Sequence, residues 1–304
     1  MNKVVVLGSS NMDIVITTNR LPKVGETVIG KEIDYFIGGK GANQAVAAAR
    51  AKSDVRFLSK VGKDTFGEKI LSYLQKEKLD TSCVQEEESI FTGIASIFKL
   101  PKDNCITVVS GANDWVDFDY VNKYSKWIKE ADVLLVQMEI PIETVGYALQ
   151  LAKENNVKTI VNPAPYNKEI LRFLSYIDYL TPNETELMAL LNEQEISEIQ
   201  WASRMLEWEK KHTTKIILTQ GEKGVSFIEN EQVVTIPAYA VEVVDTTGAG
   251  DTFNGVLAAR LSKKEDLRTA ILWANAASSL SVTKLGAQTG MPTALEIQEW
   301  MNKE

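Results

Sequence analysis

The feature that most restricts how this chain can fold is a glycine-rich stretch, residues 245–251, which read Asp-Thr-Thr-Gly-Ala-Gly-Asp. A β-like apolar run at 231–237 precedes it, and apolar residues recur at helical spacing from 253 to 261. We therefore expect a tight turn that opens a helix, with Asp251 in the first turn. Such a turn leaves backbone N–H groups unpaired, and together with the helix dipole they form an anion site. Asp251 then either has a functional role at this anion site or is only the helix cap.

Composition excludes several classes of protein. The 304 residues include 44% hydrophobic and 24% charged residues, as in ordinary globular proteins, and the net charge of −8 disfavours nucleic-acid binding. No apolar run approaches the roughly 20 residues that span a membrane, and we expect no signal peptide. Two cysteines, Cys83 and Cys105, lack metal or redox spacing, and the single histidine, His212, argues against multi-histidine zinc sites and Ser-His-Asp catalysis. We therefore predict a cytoplasmic protein that works with carboxylates, lysine, backbone amides and hard cations.

Short apolar runs alternate with helical patterns along most of the chain, which predicts a doubly wound α/β core with a mainly parallel sheet. The predicted strands are residues 4–7, 54–60, 133–136, 158–161, 177–180, 216–219 and 225–228. The predicted helices are residues 42–51, 65–77, 118–129, 183–191, 195–211, 251–262, 265–283 and 293–302. A dinucleotide fingerprint of the form G-x-G-x-x-G and a Walker A loop are both missing.

Two segments break this alternation, at about 14–37 and 91–110, and both are rich in strand-forming residues. The second contains a hairpin turn at 101–104, marked by Pro101. We expect the two insertions to build one small β-sheet that covers the core as a lid. The predicted organisation is thus a single α/β domain over residues 1–304 that carries a lid.

Polar candidates in the amino-terminal half follow strands or open helices. Asn11 and Asp13 follow the first strand, where they either bind a ligand or only form a turn. Gly39, Lys40 and Asn43 lie where a glycine-rich segment enters an alanine-rich helix. Lys40 and Asn43 point at a polar ligand there, or Lys40 is simply solvated.

Further candidates come from the later strands. Glu139 follows the strand at 133–136, and Thr219 ends the strand at 216–219. Asn183 and Glu186 share one face of a first helical turn, where their oxygens either position water around magnesium or only cap the helix. Carboxyl ends of parallel strands face one crevice, so these groups should converge with the anion site. A polyol that meets a phosphate donor is the simplest interpretation.

Two longer motifs now carry a resemblance. Residues 38–45, Gly-Gly-Lys-Gly-Ala-Asn-Gln-Ala, resemble the amino-terminal signature of the PfkB carbohydrate kinase family, and residues 245–253 resemble its carboxyl-terminal signature. Residues 11–13, 181–186 and 286–288 fall in the family's order and approximate spacing. The resemblance covers essentially the whole chain, and two long signatures are far more specific than one glycine loop.

The resemblance implies transfer of the γ-phosphoryl group of ATP to a sugar hydroxyl, with ribose as the expected sugar and Mg²⁺ and K⁺ as cofactors. It assigns the sugar to Asn11, Asp13, Gly39, Lys40, Asn43, Glu139 and Asp251. It makes Asp251 the base and the backbone of Gly248, Ala249 and Gly250 the anion hole. It places the nucleotide at Asn183, Thr219, Gln220, Gly221, Glu222, Lys223, Gly224, Gly250 and Asn275. It assigns potassium to Asp245, Thr247, Ser281, Lys284, Gly286 and Gly290, and an indirect magnesium role to Glu186.

The resemblance also implies a homodimer formed through the lid, and it leaves other functions open. The enzyme could phosphorylate another sugar or a nucleoside, or the chain could be a catalytically silent sugar- or nucleotide-binding regulator. Asp251 within an intact Gly248–Gly250 turn argues against the silent regulator. The missing dinucleotide fingerprint argues against an oxidoreductase.

Overall fold

The fold was analysed in a computed structural model, which describes residues 2–101, 103–193 and 195–303. The strands are β1 Lys3–Leu7, β2 Asn11–Thr17, β3 Glu32–Gly38, β4 Asp54–Gly62, β5 Val84–Glu87, β6 Gly93–Lys99, β7 Asn104–Val109, β8 Val133–Val136, β9 Lys158–Val161, β10 Tyr179–Leu180, β11 Lys215–Thr219, β12 Val225–Glu229 and β13 Gln232–Ile236. The helices are α1 Lys40–Arg50, α2 Thr65–Lys76, α3 Phe118–Lys123, α4 Ser125–Lys129, α5 Ile142–Glu154, α6 Glu184–Leu191, α7 Glu198–Lys211, α8 Ala249–Ser262, α9 Leu267–Ser281, α10 Ala287–Gly290 and α11 Ala294–Met301. Lys102, within the predicted hairpin turn, lies outside the described residues.

A nine-stranded sheet forms the centre of the molecule, in the order β13-β12-β11-β10-β9-β8-β1-β4-β5. From β11 across to β5, every neighbouring pair of strands is parallel. After the turn at residues 220–224, β12 and β13 add an antiparallel edge. This confirms the predicted α/β core. Because all the parallel strands run the same way, their carboxyl ends share one edge, where the candidate residues were expected.

Helices cover both faces of this sheet and enclose two apolar clusters. One face packs against α1, α8 and α9, and the other against α5, α6 and α7. The β1 residues Val4, Val6 and Leu7 have no exposed surface, because they are buried between the helical layers. Trp201, Met205 and Trp208 of α7 are buried in the apolar cluster on the other face.

Local capping explains where the observed helices depart from prediction. The prediction of a single helix at 118–129 is wrong, because the helix is interrupted at Tyr124, which separates α3 from α4. The helix expected from residue 195 begins instead at Glu198, where Ser197 and Gln200 form a capping box. In such a box the side chains satisfy N–H groups that the first turn leaves free, and this fixes the helix start.

The second sheet contains four strands in the order β3-β2-β6-β7. Its strands come from both predicted insertions, which confirms the separate β lid. Strand β2 pairs with β3 in antiparallel fashion and with β6 in parallel. Only residues 8–10 separate β2 from β1, so the lid begins at the carboxyl end of a core strand.

Helices α1 and α8 pack closely because Gly255 has no side chain. A Cβ at Gly255 would lie 2.5 Å from the carbonyl oxygen of Gln44 and 2.6 Å from the Cβ of Ala47. The small residues on both helices therefore allow the two backbones to approach. Of the helices in the described ranges, none combines the length and apolar character needed to cross a membrane.

Candidate active site

The glycine-rich turn opens α8 as expected. Gly248 is the N-cap with φ of 78°, a left-handed conformation that favours glycine, and no side chain caps this helix. The N–H groups of Gly250 and Asp251 donate to no group in the described part of the chain, whereas Ala249 N–H lies 3.3 Å from the Thr246 carbonyl oxygen. The turn thus presents free donors at a helix N-terminus, where the helix dipole also favours an anion.

The side chain of Asp251 does not serve as a helix cap. It is 8% exposed, and its Oδ2 accepts a hydrogen bond from Asn43 Nδ2 at 2.9 Å. Its Oδ1 accepts one from Gln44 Nε2, also at 2.9 Å. The alternative of a plain capping acid is therefore wrong, since a buried carboxylate with two amide donors is held in one orientation.

Sequence reasoning predicted Asn43 but missed the three glutamines near Asp251, which are Gln44, Gln137 and Gln288. Gln44 also receives a hydrogen bond at 2.7 Å from Gln137 Nε2, and Asn43 receives one at 2.7 Å from Gln288 Nε2. The signal in the sequence was weak. Gln44 lies in the motif at 38–45 and Gln288 in the motif at 286–288, but nothing in the sequence paired either residue with Asp251. We call Asn43, Gln44, Gln137 and Gln288 the amide network.

Acidic groups gather beside Asp251 on the side of the lid. Burial first, and then the charges of Glu139 and Asp251, raise the pKa of Asp13 from 3.8 to about 7, while Lys40 lowers it. Burial alone would lower the pKa of Lys40, but Asp251, Glu139, Glu186 and Asp13 together raise it. Lys40 is therefore a half-buried cation among carboxylates at the start of α1, rather than a solvated loop residue.

Glu139 is fixed at the start of α1. Its Oε2 accepts hydrogen bonds from Ser9 Oγ at 2.5 Å and from the backbone N–H of Lys40 at 3.0 Å. Gly39 immediately precedes α1 and has a φ of 86°. A Cβ at this position would lie 2.8 Å from the backbone N of Asn11. Glycine at this position thus lets the helix start approach the end of β1.

Asn11 is oriented by a residue that sequence reasoning missed. It is 3% exposed, and its Oδ1 accepts a hydrogen bond from Asn113 Nδ2 at 2.7 Å. Asn113 also accepts from the backbone N–H of Ser10 at 2.9 Å. The amide oxygen of Asn11 is therefore occupied, which leaves its Nδ2 as the group free to donate.

A cavity of about 320 Å³ lies on the other side of Asp251. The predicted residues that line it are Lys40, Asn183, Glu186, Thr219, Gly221, Gly224, Gly248, Ala249, Gly250, Asp251 and Asn275. Gln220, Glu222 and Lys223 are not among the residues that line it. Gln220 instead accepts a hydrogen bond from Ser226 at 2.6 Å, and Lys223 lies 3.7 Å from the Glu184 carboxylate. The cavity joins the free donors of the turn to the end of the sheet.

Asn183 and Glu186 form the capping box that was the alternative to a magnesium role. Asn183 Oδ1 accepts from the N–H of Glu186 at 2.8 Å, and Glu186 Oε2 accepts from the N–H of Asn183 at 3.0 Å. Burial raises the pKa of Glu186, although Asn183 and Lys40 oppose it. Glu186 also lines the cavity, so capping and a role toward a cation are compatible.

The residues assigned to potassium lie around the turn that precedes α10. Asp245 accepts from the N–H of Thr247 at 2.9 Å and from the N–H of Gly286 at 2.8 Å. A Cβ at Gly290 would lie 2.1 Å from the Ser281 carbonyl oxygen, which accepts no hydrogen bond within the described ranges. Glycine thus leaves room at an unoccupied carbonyl, a donor type that suits a hard cation.

Lys284 and Asp13 complete the placement of the predicted residues. Lys284 Nζ lies 3.9 Å from Glu296, so its side chain points to a surface carboxylate rather than to Asp245. A second cavity, of about 340 Å³, lies between the lid and this region, and Asp13, Asp245, Thr247 and Gly286 line it. The lid-side acids and the α10 turn are therefore neighbours across this space.

The comparison with known proteins assigns the family. The model of the pfkB family carbohydrate kinases matches residues 1–294. The chain belongs to the pfkB family. Its fold is the ribokinase-like α/β fold with a separate β lid, as the solved relatives confirm.

Individual pfkB relatives match along their full length. The chain is 42% identical to a ribokinase of Lactococcus lactis subsp. lactis, with 98% of this chain and 96% of that protein covered. It is 33% identical to a deoxyribokinase of Salmonella typhi, with 98% of each covered. It superimposes with a TM-score of 0.88 on an Arabidopsis thaliana ribokinase solved with ribose and ATP, at 30% identity and 98% coverage of each chain. The protein is thus an ATP-dependent carbohydrate kinase by family.

Proposed function

We propose that this protein transfers the γ-phosphoryl group of ATP to a hydroxyl of D-ribose, giving ribose 5-phosphate. The observation that carries this proposal is the position of Asp251. Its carboxylate lies between the lid-side acids and the cavity, beside the free N–H groups that open α8. The ribokinase relatives, one of them solved with ribose and ATP, support ribose as the acceptor.

The proposed sugar site is the lid-side cluster. Asn11 donates and Asp13 and Glu139 accept hydrogen bonds from sugar hydroxyls, while Lys40 balances the negative charge there. Gly39 allows the start of α1 to approach the backbone that carries Asn11, and Asn43 acts mainly on Asp251, to which it donates at 2.9 Å. Asp251 takes the hydroxyl proton as the hydroxyl oxygen attacks phosphorus. Positioning and charge stabilisation supply most of the rate enhancement in such transfers.

The proposed nucleotide site is the cavity. Asn183, Thr219, Gly221, Gly224 and Asn275 line it and border the nucleotide, while Gln220, Glu222 and Lys223 form its outer loop. In the Gly248–Asp251 turn, the free N–H groups of Gly250 and Asp251 stabilise negative charge on the transferring phosphoryl group. Glu186 and Asn183 would hold water around Mg²⁺, which supplies charge neutralisation on the phosphates when it is bound.

The proposed potassium site comprises Asp245, Thr247 and the backbone at Ser281, Lys284, Gly286 and Gly290. Despite burial, hydrogen bonds from Thr247 and Gly286 lower the pKa of Asp245, so a carboxylate is available to balance a cation. The open carbonyl of Ser281 beside Gly290 fits the same role. K⁺ bound there would stabilise the turn that leads into α10.

Deoxyribose is the second candidate acceptor, because the deoxyribokinase relative is 33% identical over nearly the whole chain. The two sugars differ by one hydroxyl at C2. A site that hydrogen-bonds this hydroxyl would leave a buried polar group unpaired with deoxyribose, and that usually costs several orders of magnitude in specificity.

We further propose one α/β domain with its lid, a homodimer formed through the lid, and a cytoplasmic location. Ile106 and Val108 of β7 are about half exposed and lie on the lid face that carries Asp13. A second lid would cover such a surface. The free thiols of Cys83 and Cys105 fit a reducing compartment.

Release of ADP from Mg²⁺-ATP, with and without K⁺, tests the proposal. The panel contains ribose, deoxyribose, fructose, adenosine and a control without acceptor. We expect strong turnover on ribose that K⁺ increases. Turnover on another acceptor would retain the mechanism and change the substrate, whereas binding without turnover would indicate a silent regulator.

The substitution Asp251→Asn tests the assigned base. We expect kcat to fall by about 10²–10⁴-fold, because the base is lost and one of the two amide neighbours, Asn43 or Gln44, also loses its acceptor oxygen. Binding of ATP, measured by calorimetry, should stay near the wild-type value, since the N–H groups of the turn are backbone groups. A near-normal kcat in a folded variant would rule out Asp251 as the base.

A further inference from the structure

The amide network that surrounds Asp251 is ordered in one direction. An ionised carboxylate only accepts hydrogen bonds, so Asn43 and Gln44 must turn their NH₂ groups toward Asp251. Their carbonyl oxygens then face outward and accept from Gln288 and Gln137, respectively. Two hydrogen-bonded amide chains, Gln288–Asn43 and Gln137–Gln44, therefore direct their N–H groups toward the carboxylate of Asp251.

The outer ends of both chains show that this order has a cost. Gln137 Oε1 and Gln288 Oε1 are buried and have no hydrogen-bond partner within the described residues. A buried oxygen without a hydrogen-bond donor is energetically unfavourable. Buried polar groups are usually satisfied, so an exception calls for an explanation. Here the hydrogen bonds from Asn43 and Gln44 to Asp251 fix the orientation of all four amides, and the Oε1 atoms of Gln137 and Gln288 are left without a donor.

The neighbouring backbone accommodates this arrangement. A Cβ at Gly8 would lie 2.0 Å from Gln137 Oε1, so glycine makes space for the outer amide of one chain. Gln288 lies in α10, within the turn that carries Gly286 and Gly290. Gln44, with no exposed surface, also donates to Asn162 Oδ1 at 3.1 Å, which uses its second amide hydrogen. The two amides that donate to Asp251 are thus held in place by residues from three different parts of the sequence, Gln137, Asn162 and Gln288.

We propose that Gln44 and Gln288 are positioning residues for the phosphoryl transfer: they hold the Asp251 carboxylate in one orientation, aimed at the acceptor hydroxyl, Gln44 directly and Gln288 through Asn43. This inference rests on the proposed function of Asp251 as the base. Neutral donors stabilise the negative charge without neutralising it, so the carboxylate keeps its ability to take the proton. Gln137 acts one step further out, through Gln44.

Gln44→Met and Gln288→Met test the proposal, because methionine is unbranched, similar in length and lacks the amide. Gln44→Met should lower kcat by about 10–100-fold, the usual range for one hydrogen bond to a charged group, and leave the KM for ATP unchanged. Gln288→Met should have a smaller effect, and Gln137→Met the smallest. In both Gln44→Met and Gln288→Met, the acidic limb of the kcat–pH profile should move to higher pH.

The matched control is Gln150→Met, the same substitution on the exposed surface of α5, where the side chain of Gln150 donates to Glu154 of its own helix and to no other residue that the structure describes. It should leave kcat and the pH profile unchanged. Wild-type kcat and pH profiles in folded Gln44→Met and Gln288→Met would overturn the proposal. If Gln44→Met does not fold, Gln288→Met in the short α10 decides alone.

A measurement without turnover separates this inference from the proposed function. The side-chain NH₂ signals of Asn43 and Gln44 in ¹⁵N NMR spectra should shift in Asp251→Ala, while that of Gln150 should not. If no acceptor is phosphorylated by the wild type yet these signals shift, the proposed function fails and the amide network stands as a binding arrangement. If ribose is phosphorylated but the methionine variants behave as wild type, only the positioning role fails.

Discussion

The core sheet and the lid sheet differ in how their faces are covered. In β1 of the core, Val4, Val6 and Leu7 have no exposed surface, because helices lie on both faces. In β7 of the lid, all six residues are exposed. The core sheet therefore supplies stability, whereas the lid sheet depends on what lies over it. The proposed site lies where the two meet, with Asp13 on a lid strand and Asp251 on a core helix.

The largest difference should appear when the same side chain is truncated in each sheet. Phe57 of core strand β4 has no exposed surface, and Phe57→Ala should lower the free energy of unfolding by about 3–5 kcal/mol through loss of packing. Phe98 of lid strand β6 is half-buried, and Phe98→Ala should cost at most about 1.5 kcal/mol. Denaturant titration of both variants measures the contrast. Equal losses would show that the two sheets contribute alike.

Asp13 should link the lid to the core through pH. In the unfolded chain it titrates near 3.8, but in the fold its pKa is about 7 because of burial and the charges of Glu139 and Asp251, against Lys40. Between these values the folded state holds a proton that the unfolded state has lost, so stability falls as pH rises from about 4 to about 7. Asp13→Asn should remove about 2–4 kcal/mol of this decline.

Thermal or denaturant unfolding from pH 4 to pH 8 measures this difference between wild type and Asp13→Asn. Asp119→Asn, on the exposed start of α3, serves as the control and should change stability by less than about 0.5 kcal/mol at any pH in this range. A constant difference between Asp13→Asn and wild type would mean that Asp13 is not held among carboxylates as the fold indicates.

The smallest effect on the stability of one chain should come from the exposed lid face. Ile106 is 55% exposed, so Ile106→Ser should change the unfolding free energy of the monomer by less than about 0.5 kcal/mol. It should nevertheless weaken the proposed dimer, measured by sedimentation at several concentrations. Thr107→Ser, on the opposite lid face, should leave association unchanged. A wild-type chain that is monomeric throughout would remove the lid-to-lid dimer from the proposal.

Those features that depend on neighbours in sequence were predictable. Short apolar runs marked the buried strands, and the glycines at 248 and 250 marked the turn that opens α8. The convergence of Lys40, Asn183 and Asp251 on one cavity followed from the rule that parallel strands end at the same edge.

Features that depend on distant pairs were not predictable in the same way. Gln44 and Asp251 are 207 positions apart, and Asn43 and Gln288 are 245 apart, so no local pattern marks either hydrogen bond. Glutamine inside an alanine-rich helix is ordinary in sequence, and only tertiary packing turns it toward a carboxylate. The interruption of the helix at Tyr124 was missed for another reason. The apolar residues keep their helical spacing across Tyr124, whereas the backbone leaves the helical conformation there.

The contact at Gly255 has a further consequence for how this enzyme can vary. Gly255 lies one helical turn after Asp251, and it rests against the carbonyl oxygen of Gln44, whose side chain binds Asp251. The distance between Asp251 and Gln44 therefore depends on how closely the backbones of α8 and α1 approach each other at Gly255. Any larger residue at position 255 would push the two helices apart and change that distance. A position outside the proposed substrate site thus contributes to the orientation of the proposed base.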